Sequence, residues 1–230
     1  LLKTTLLDYP GKVACTIFTS GCSYKCPFCH NRDLVYIPEN YQFLDADEIF
    51  QFLDKRKNIL DGVCISGGEP LMQEKLIPFL KEIKKRGYEI KLDVTGNYLD
   101  RLKEIVDAKL VDYIAMDVKN TKGKYALTVG SDAENFPVES IDACISFIRT
   151  CGIPYEFRTT IVRELHTKED LIAMAKWLKG VDAWYLQQFQ DSPNCIQEGF
   201  HSYNKQEMLE ILEAVKQYVP NAEVRGIKED

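Results

Sequence analysis

The chain has 230 residues, 45% of them hydrophobic and 28% charged, with a net charge of −6. This composition is globular, carries no sign of disorder, and is long enough for one sizeable core or an α/β barrel of ordinary or slightly reduced length. The acidic balance argues against nucleic acid as the main partner, because phosphates are neutralised by clustered Lys and Arg.

No apolar run reaches 18 residues, and no signal segment or lipidation signature is present, so a cytoplasmic protein is expected. The chain opens Leu1-Leu2-Lys3 without a methionine, so a missing or trimmed natural N-terminus is expected. No repeat, low-complexity tract or Pro/Gly/Ser linker interrupts it, which predicts one domain over residues 1–230.

Short β-branched runs alternate with longer amphipathic runs, the pattern of βα units on a parallel sheet. The first predicted strand is Val13–Thr19. It runs into Gly21-Cys22-Ser23-Tyr24-Lys25-Cys26-Pro27-Phe28-Cys29-His30-Asn31. The spacing of Cys22, Cys26 and Cys29 is C-x3-C-x2-C, with an aromatic residue before the third cysteine. Three thiolates on a short loop can hold three irons of a four-iron cube and leave the fourth open to a small ligand. A zinc site with His30 as fourth ligand is one alternative, and three unligated buried thiols are another.

A helix is predicted over Asp45–Asn58, where Asp45 caps and Glu48 completes a capping box. Strand Gly62–Ser66 leads into Gly67-Gly68-Glu69-Pro70, whose bare backbone can approach a ligand closely. Helix Glu74–Arg86 ends in Lys81, Lys84, Lys85 and Arg86, cations that suit the dipole of a solvated last turn.

Strand Glu89–Val94 closes on Asp93-Val94-Thr95-Gly96, and helix Leu99–Ala108 follows. Strand Tyr113–Val118 carries Met116-Asp117-Val118-Lys119. The longest irregular stretch, Asn120–Pro137, comes next and is a candidate for touching a substrate. Helix Ile141–Cys151, strand Tyr155–Val162 with Arg158, and helix Lys168–Lys179 with a Thr167 cap continue the alternation. Strand Trp184–Phe189, helix Lys205–Tyr218 and a short strand at Glu223–Arg225 complete it. Gly87, Gly152 and Gly180 follow the helices they end.

Six clear βα units, where a closed barrel has eight, predict an incomplete (β/α)6 TIM-type barrel with one open side. Active sites of parallel α/β folds sit at the C-terminal ends of the strands, and six successive strands here point polar residues at that rim. The five cysteines outside the triad, Cys15, Cys64, Cys144, Cys151 and Cys195, share no ligand-like spacing and are expected in the core.

Together, the cysteine triad after the first strand and Gly-Gly-Glu after the second resemble the radical S-adenosylmethionine (SAM) superfamily, over essentially the whole chain. The resemblance implies a [4Fe–4S] cluster on Cys22, Cys26 and Cys29, with SAM chelating the open iron. One electron from the cluster would give methionine and a 5′-deoxyadenosyl radical that abstracts a hydrogen atom.

Asp8-Tyr9-Pro10-Gly11, Gly21 through Asn31 and Met116–Lys119 narrow the likeness to activating enzymes of glycyl radical enzymes. They are closest to the anaerobic ribonucleoside-triphosphate reductase activating branch, kin to pyruvate formate-lyase activase. By that likeness Asp117 and Lys119 would hold the amino-acid end of SAM, with Gly67, Gly68 and Glu69 near its amino group. Asp93 and Thr95 would reach the ribose or a monovalent cation beside it, Phe28 would line the adenine, and Arg158 would join the same SAM contacts.

Some activases carry a histidine on the last barrel strand, where Phe189 stands here. No inserted ferredoxin-like cysteine set is present. The implied partners are a glycyl radical enzyme as protein substrate and a flavodoxin or ferredoxin as electron donor, docking on a local basic patch. Asp8–Gly11 and Asn120–Pro137 are the candidates for framing the partner's loop. The alternatives are radical SAM chemistry on a small molecule or peptide, and a non-catalytic iron–sulfur or zinc protein.

Overall fold

A computed structural model of the chain describes residues 1–131 and 136–227. Eight strands form one sheet in chain order. They are β1 (Leu2–Thr5), β2 (Ala14–Thr19), β3 (Gly62–Gly67), β4 (Glu89–Val94), β5 (Tyr113–Asp117), β6 (Tyr155–Ile161), β7 (Trp184–Gln188) and β8 (Ala222–Arg225). Strand β1 is antiparallel to β2, and every later neighbour is parallel. Because β8 does not pair with β1, the barrel stays open on one side. All six predicted strands and the short final one are present; β1 is an addition.

The helices are α1 (Arg32–Val35), α2 (Ala46–Asp54), α3 (Leu76–Lys85), α4 (Leu99–Asp107), α5 (Tyr125–Thr128), α6 (Val138–Thr150), α7 (Lys168–Trp177) and α8 (Lys205–Lys216). Among the described residues, no helix is long and apolar enough to cross a membrane.

Strand periodicity explains how the core and the barrel interior separate. In β4, Ile90, Leu92 and Val94 are buried in the apolar core, while the alternate residues Lys91 and Asp93 pair with each other. In β6, Phe157 and Ile161 are buried in that core, while Glu156 pairs with Arg225 and Arg158 with Asp93 and Asp117. Successive side chains of a strand point to opposite faces, so one face packs on helices and the other lines a polar interior.

Local signals set the helix ends. Glu48 accepts from the Asp45 N–H, and Thr167–Asp170 and Asn204–Glu207 form reciprocal capping boxes. Gly87, Gly152 and Gly180 all take positive φ after their helices, as expected. At the end of α3, Lys84 pairs with Asp112, Lys85 with Glu82, and Arg86 with Asp54 and Glu82. The predicted cationic turn is therefore a network of surface ion pairs.

Two expectations about loops change. The turn Asp8–Gly11 lies at the N-terminal ends of the parallel strands, opposite the rim. Its buried Tyr9 packs on the Tyr113 ring and donates to Glu89, at the starts of β5 and β4. It closes the barrel floor, so it does not frame the rim. The stretch after β5 is less irregular than expected: it holds a 3-10 turn at Lys122–Lys124 and then α5, with Tyr125 fully buried. Residues 132–135 of that stretch lie outside the described residues.

Candidate functional site at the cysteine loop

The loop from β2 to α1 is held from four directions. Gly21 donates to Leu34 within the loop's own exit, at 2.7 Å. The turn after β3 holds it through Glu69 N–H to the Gly21 carbonyl (2.8 Å), and Asn31 Nδ2 returns a bond to the Gly67 carbonyl (3.1 Å). Lys25 N–H donates to Val129, just past α5, at 2.9 Å. From the segment after β7, Gln197 and Ile196 N–H groups donate to the carbonyls of Pro27 (2.8 Å) and Cys29 (3.2 Å). Cys195 Sγ lies 3.8 Å from the Phe28 carbonyl. His30 donates through Nε2 to the Gln190 carbonyl and stacks on Phe189, with ring centroids 5.4 Å apart.

These anchors bring Cys22, Cys26 and Cys29 to the wall of one cavity of about 170 Å³. Of the other expected site residues, Phe28, Gly67, Gly68, Thr95, Asp117 and Lys119 share that wall. Tyr24, His30, Asn31, Val35 and Thr160 line it as well. Thr160 was within reach of sequence reasoning, since it falls two residues after Arg158 on the same face of β6. Tyr24 and Val35 carry no comparable signal.

Three expected residues sit behind the wall. Glu69 is fully buried: it accepts from Leu71 N–H (2.9 Å), Thr95 N–H (2.7 Å) and Thr95 Oγ1 (2.5 Å). Burial pushes its carboxyl pKa up against those three donors. Its carboxylate ties the turn after β3 to the end of β4. Asp93 accepts from Ser66 Oγ (3.0 Å), Arg158 (3.2 Å) and Lys91. Arg158 also donates to Asp117 at 2.9 Å, and Asp117 pairs with Lys119 at 2.7 Å.

The result is a chain of alternating charges, Lys91–Asp93–Arg158–Asp117–Lys119, running up the barrel interior to the cavity. Burial alone would raise the Asp117 carboxyl, but Arg158 and Lys119 outweigh it and hold that group well below the usual carboxylate range. Burial likewise opposes charge on Lys119, and Asp117 overcomes it, so the ammonium stays charged.

Gly67 and Gly68, which line the cavity, also allow a close approach within the chain itself. A Cβ on Gly68 would stand 2.0 Å from the Gly21 carbonyl oxygen, and one on Gly67 would stand 2.3 Å from the Thr19 carbonyl oxygen. Gly67 also has φ +118°, a conformation that favours glycine. Gly67 thus permits a close approach to the end of β2, and Gly68 one to the cysteine loop.

The remaining cysteines behave largely as predicted. Cys15, Cys64, Cys144 and Cys195 are buried, and Cys151 is half-buried. Cys195 departs in position, since it packs against the cysteine loop itself. His30, the fourth ligand of the zinc alternative, shares the cavity wall with the three cysteines, with its ring stacked on Phe189 and Nε2 bonded to the Gln190 carbonyl.

A fold of this kind, with three cysteines on the loop after its first parallel strand, defines a class. The profile of the Radical SAM superfamily matches residues 16–178. The chain belongs to the radical SAM superfamily and is an enzyme of that type. It is 31% identical, over 99% of its own length and 95% of the relative's, to a Methanocaldococcus jannaschii protein named "Putative glycyl-radical enzyme activating enzyme". It is 30% identical to the pyruvate formate-lyase-activating enzyme of Clostridium pasteurianum, over 76% of this chain and 73% of that one.

Among solved structures, SuiB of Streptococcus suis bound to S-adenosylmethionine superposes with a TM-score of 0.72 over 92% of this chain, at 14% identity. That likeness shows the fold alone, and the chain spans 50% of the length of SuiB.

The superfamily uses a [4Fe–4S] cluster and SAM, and the residues present fit both. Burial pushes the Cys22 thiol up to about 11 and the Cys26 thiol up to about 12. Such groups stay protonated at neutral pH until a metal supplies the positive charge that a thiolate needs. One buried hydroxyl on the cavity wall, that of Tyr24, has no hydrogen-bond partner among the described residues.

Proposed function

We propose that this chain activates a glycyl radical enzyme, removing one Cα hydrogen from a glycine on a loop of that partner. The observation that carries this reading is the likeness to the Methanocaldococcus jannaschii protein, which leaves almost no part of either chain unmatched. Shape supports it: the sheet does not close, so a protruding loop has an entry to the strand ends. The segment after the cysteine loop supports it too, exposing Tyr36, Ile37, Tyr41, Phe43 and Leu44, with Phe43 58% accessible. Clustered exposed apolar groups mark protein-binding surfaces.

Within the site we assign Cys22, Cys26 and Cys29 to the cluster. With cluster and SAM bound, the chemistry supplied is one-electron cleavage of SAM to methionine and a 5′-deoxyadenosyl radical. Lys119 and Asp117, a cation and an anion 2.7 Å apart on the wall, match the carboxylate and ammonium of the SAM amino-acid end. Phe28 flanks the adenine, and Thr95 is placed for the ribose. Asp93 and Arg158 hold Asp117 in place, and Glu69 holds the Gly67–Gly68 turn. A flavodoxin or ferredoxin supplies the electron, and Lys25, between Cys22 and Cys26, and Arg32, three residues past Cys29, are exposed cations on the cysteine segment.

The test is anaerobic. Reconstituted protein receives dithionite and SAM, and 5′-deoxyadenosine and methionine are quantified with and without glycyl radical enzymes from the same genome. SAM cleavage with a glycine-centred doublet in the partner's EPR spectrum is expected. Cleavage without a radical on any such partner would overturn the assignment of substrate.

A further inference from the structure

Thr160 on β6, Gln187 on β7 and Arg225 on β8 stand at one level of the sheet, because the register pairs Thr160 with Gln187 and Gln187 with Arg225. Strand alternation fixes the face they share. On β7, Trp184 and Leu186 are buried in the apolar core, which leaves Tyr185 and Gln187 to the barrel interior. Arg225 marks the same face: it donates to the buried Glu156 carboxylate at 3.1 and 3.0 Å and lies over the Tyr185 ring.

The row walls a second cavity, of about 220 Å³, at the C-terminal ends of the last strands. Thr160 and His30 line both this cavity and the one at the cysteines, so the two adjoin. The row ends on β8, at the side where the barrel stays open. One level below, the polar groups are committed, Arg158 to Asp93 and Asp117. In the row itself, no hydrogen bond or ion pair among the described residues engages the side chain of Thr160 or Gln187. Both residues are half-buried.

The chemistry of this wall narrows what it can take. Among the described residues, Arg225 is its only permanent charge, and Glu156 neutralises it, so an anion gains little there. The Gln187 carboxamide offers N–H donors beside a carbonyl acceptor. That is the complement of a peptide unit, the pairing that neighbouring strands use. Glycine has no side chain, so a loop that presents one can be held at that residue only through its backbone.

We propose that the Gln187 side chain hydrogen-bonds the backbone of the partner's glycine loop, in the cavity beside the cysteines. The proposal rests on the reading of this chain as the activator of a glycyl radical enzyme. Gln187 is a substrate-positioning residue with no part in the cleavage of SAM.

The experiment takes the glycyl radical enzyme that shows a glycine doublet in the assay above. Initial rates of radical formation are measured by EPR against its concentration. Wild type, Gln187→Ala and Gln187→Glu are compared at equal iron content. Losing one or two neutral hydrogen bonds should raise the half-saturating partner concentration about tenfold in Gln187→Ala, with the saturating rate within about twofold of wild type. Gln187→Glu keeps the shape but has no N–H to donate, and its half-saturating concentration should rise too. Unchanged half-saturation in both variants would overturn the proposal and leave the activase reading intact. A fall in SAM cleavage without partner, in step with radical formation, would place the side chain at SAM and overturn it as well. Wild-type protein that forms no radical on any glycyl radical enzyme would instead remove the activase reading, and this proposal with it.

Discussion

At Gly68 a methyl group has no room, because the Gly21 carbonyl oxygen, a backbone atom, would stand 2.0 Å from it. Gly68→Ala should therefore displace the cysteine loop and destabilise the protein by about 1–3 kcal/mol, the usual cost of overpacking. Iron content after reconstitution should fall along with the urea midpoint. Cys26→Ala should lose the cluster and all SAM cleavage with the fold largely retained; full iron content in that variant would contradict the ligand assignment. Cys144→Ala should keep its iron, since that thiol is wholly buried among core residues on α6.

The cysteine triad was legible in sequence because its chemistry is local, three thiols within eight residues. By local pattern, Glu69 and Asp93 were legible only as acidic residues at or just past the ends of strands. Whether such a carboxylate faces a ligand or its own chain depends on Thr95, Lys91 and Arg158, partners that no local pattern announces.

Elements were read well where periodicity and caps agreed. All six long helices lie within a few residues of their predicted bounds, each with a buried apolar stripe. Helix α8 carries a capping box, Asn204 with Glu207, whose side chain and backbone bonds satisfy N–H groups at its first turn. Asn204→Ala should cost about 1 kcal/mol, read as a lower urea midpoint with unchanged iron content. Strand β1 escaped notice because Leu2-Lys3-Thr4-Thr5 has no alternating apolar face and only Thr5 is buried. The turn Asp8–Gly11 was placed at the wrong end of the barrel for the same reason. Without β1 running antiparallel to β2, nothing in the sequence says that this turn belongs to the floor.

For the molecule as a whole, stability should fall on acidification in two stages. His166 is buried; its Nε2–H donates to the Lys119 carbonyl at 2.7 Å and its Nδ1 accepts from Val162 N–H at 3.1 Å. Burial lowers its pKa, outweighing those backbone bonds. The unfolded chain takes up this proton near the ordinary value of about 6.5 while the folded protein does not. The contribution of neutral His166 is thus complete above that value and is lost as pH falls below it.

Asp117 and Asp93 add a second stage. Burial favours their neutral forms, but the neighbouring cations prevail and lower both. Their contribution is present above the ordinary carboxylate range and is lost below it. Urea midpoints of metal-free protein between pH 8 and about pH 2 should show both stages, the second below the ordinary Asp value of about 3.9, and His166→Asn should abolish the first. A first stage that persists in His166→Asn would assign it to another group.

The bonds that hold the cysteine loop also set an order of events during folding. His30 is joined to Gln190 across 160 residues of sequence, and Cys195 meets Phe28 across 167. Contacts so distant along the chain form late, after the closure entropy of the intervening loop has been met. By contrast, β2 and β3 pair Cys15 with Val63 and Thr16 with Cys64 over a much shorter span. On a ribosome, the three thiols emerge long before the segment that clamps their loop, so their scaffold is completed only after that segment has been made. During refolding, Cys26 should become protected from alkylation together with Cys195, and later than Cys15 and Cys64.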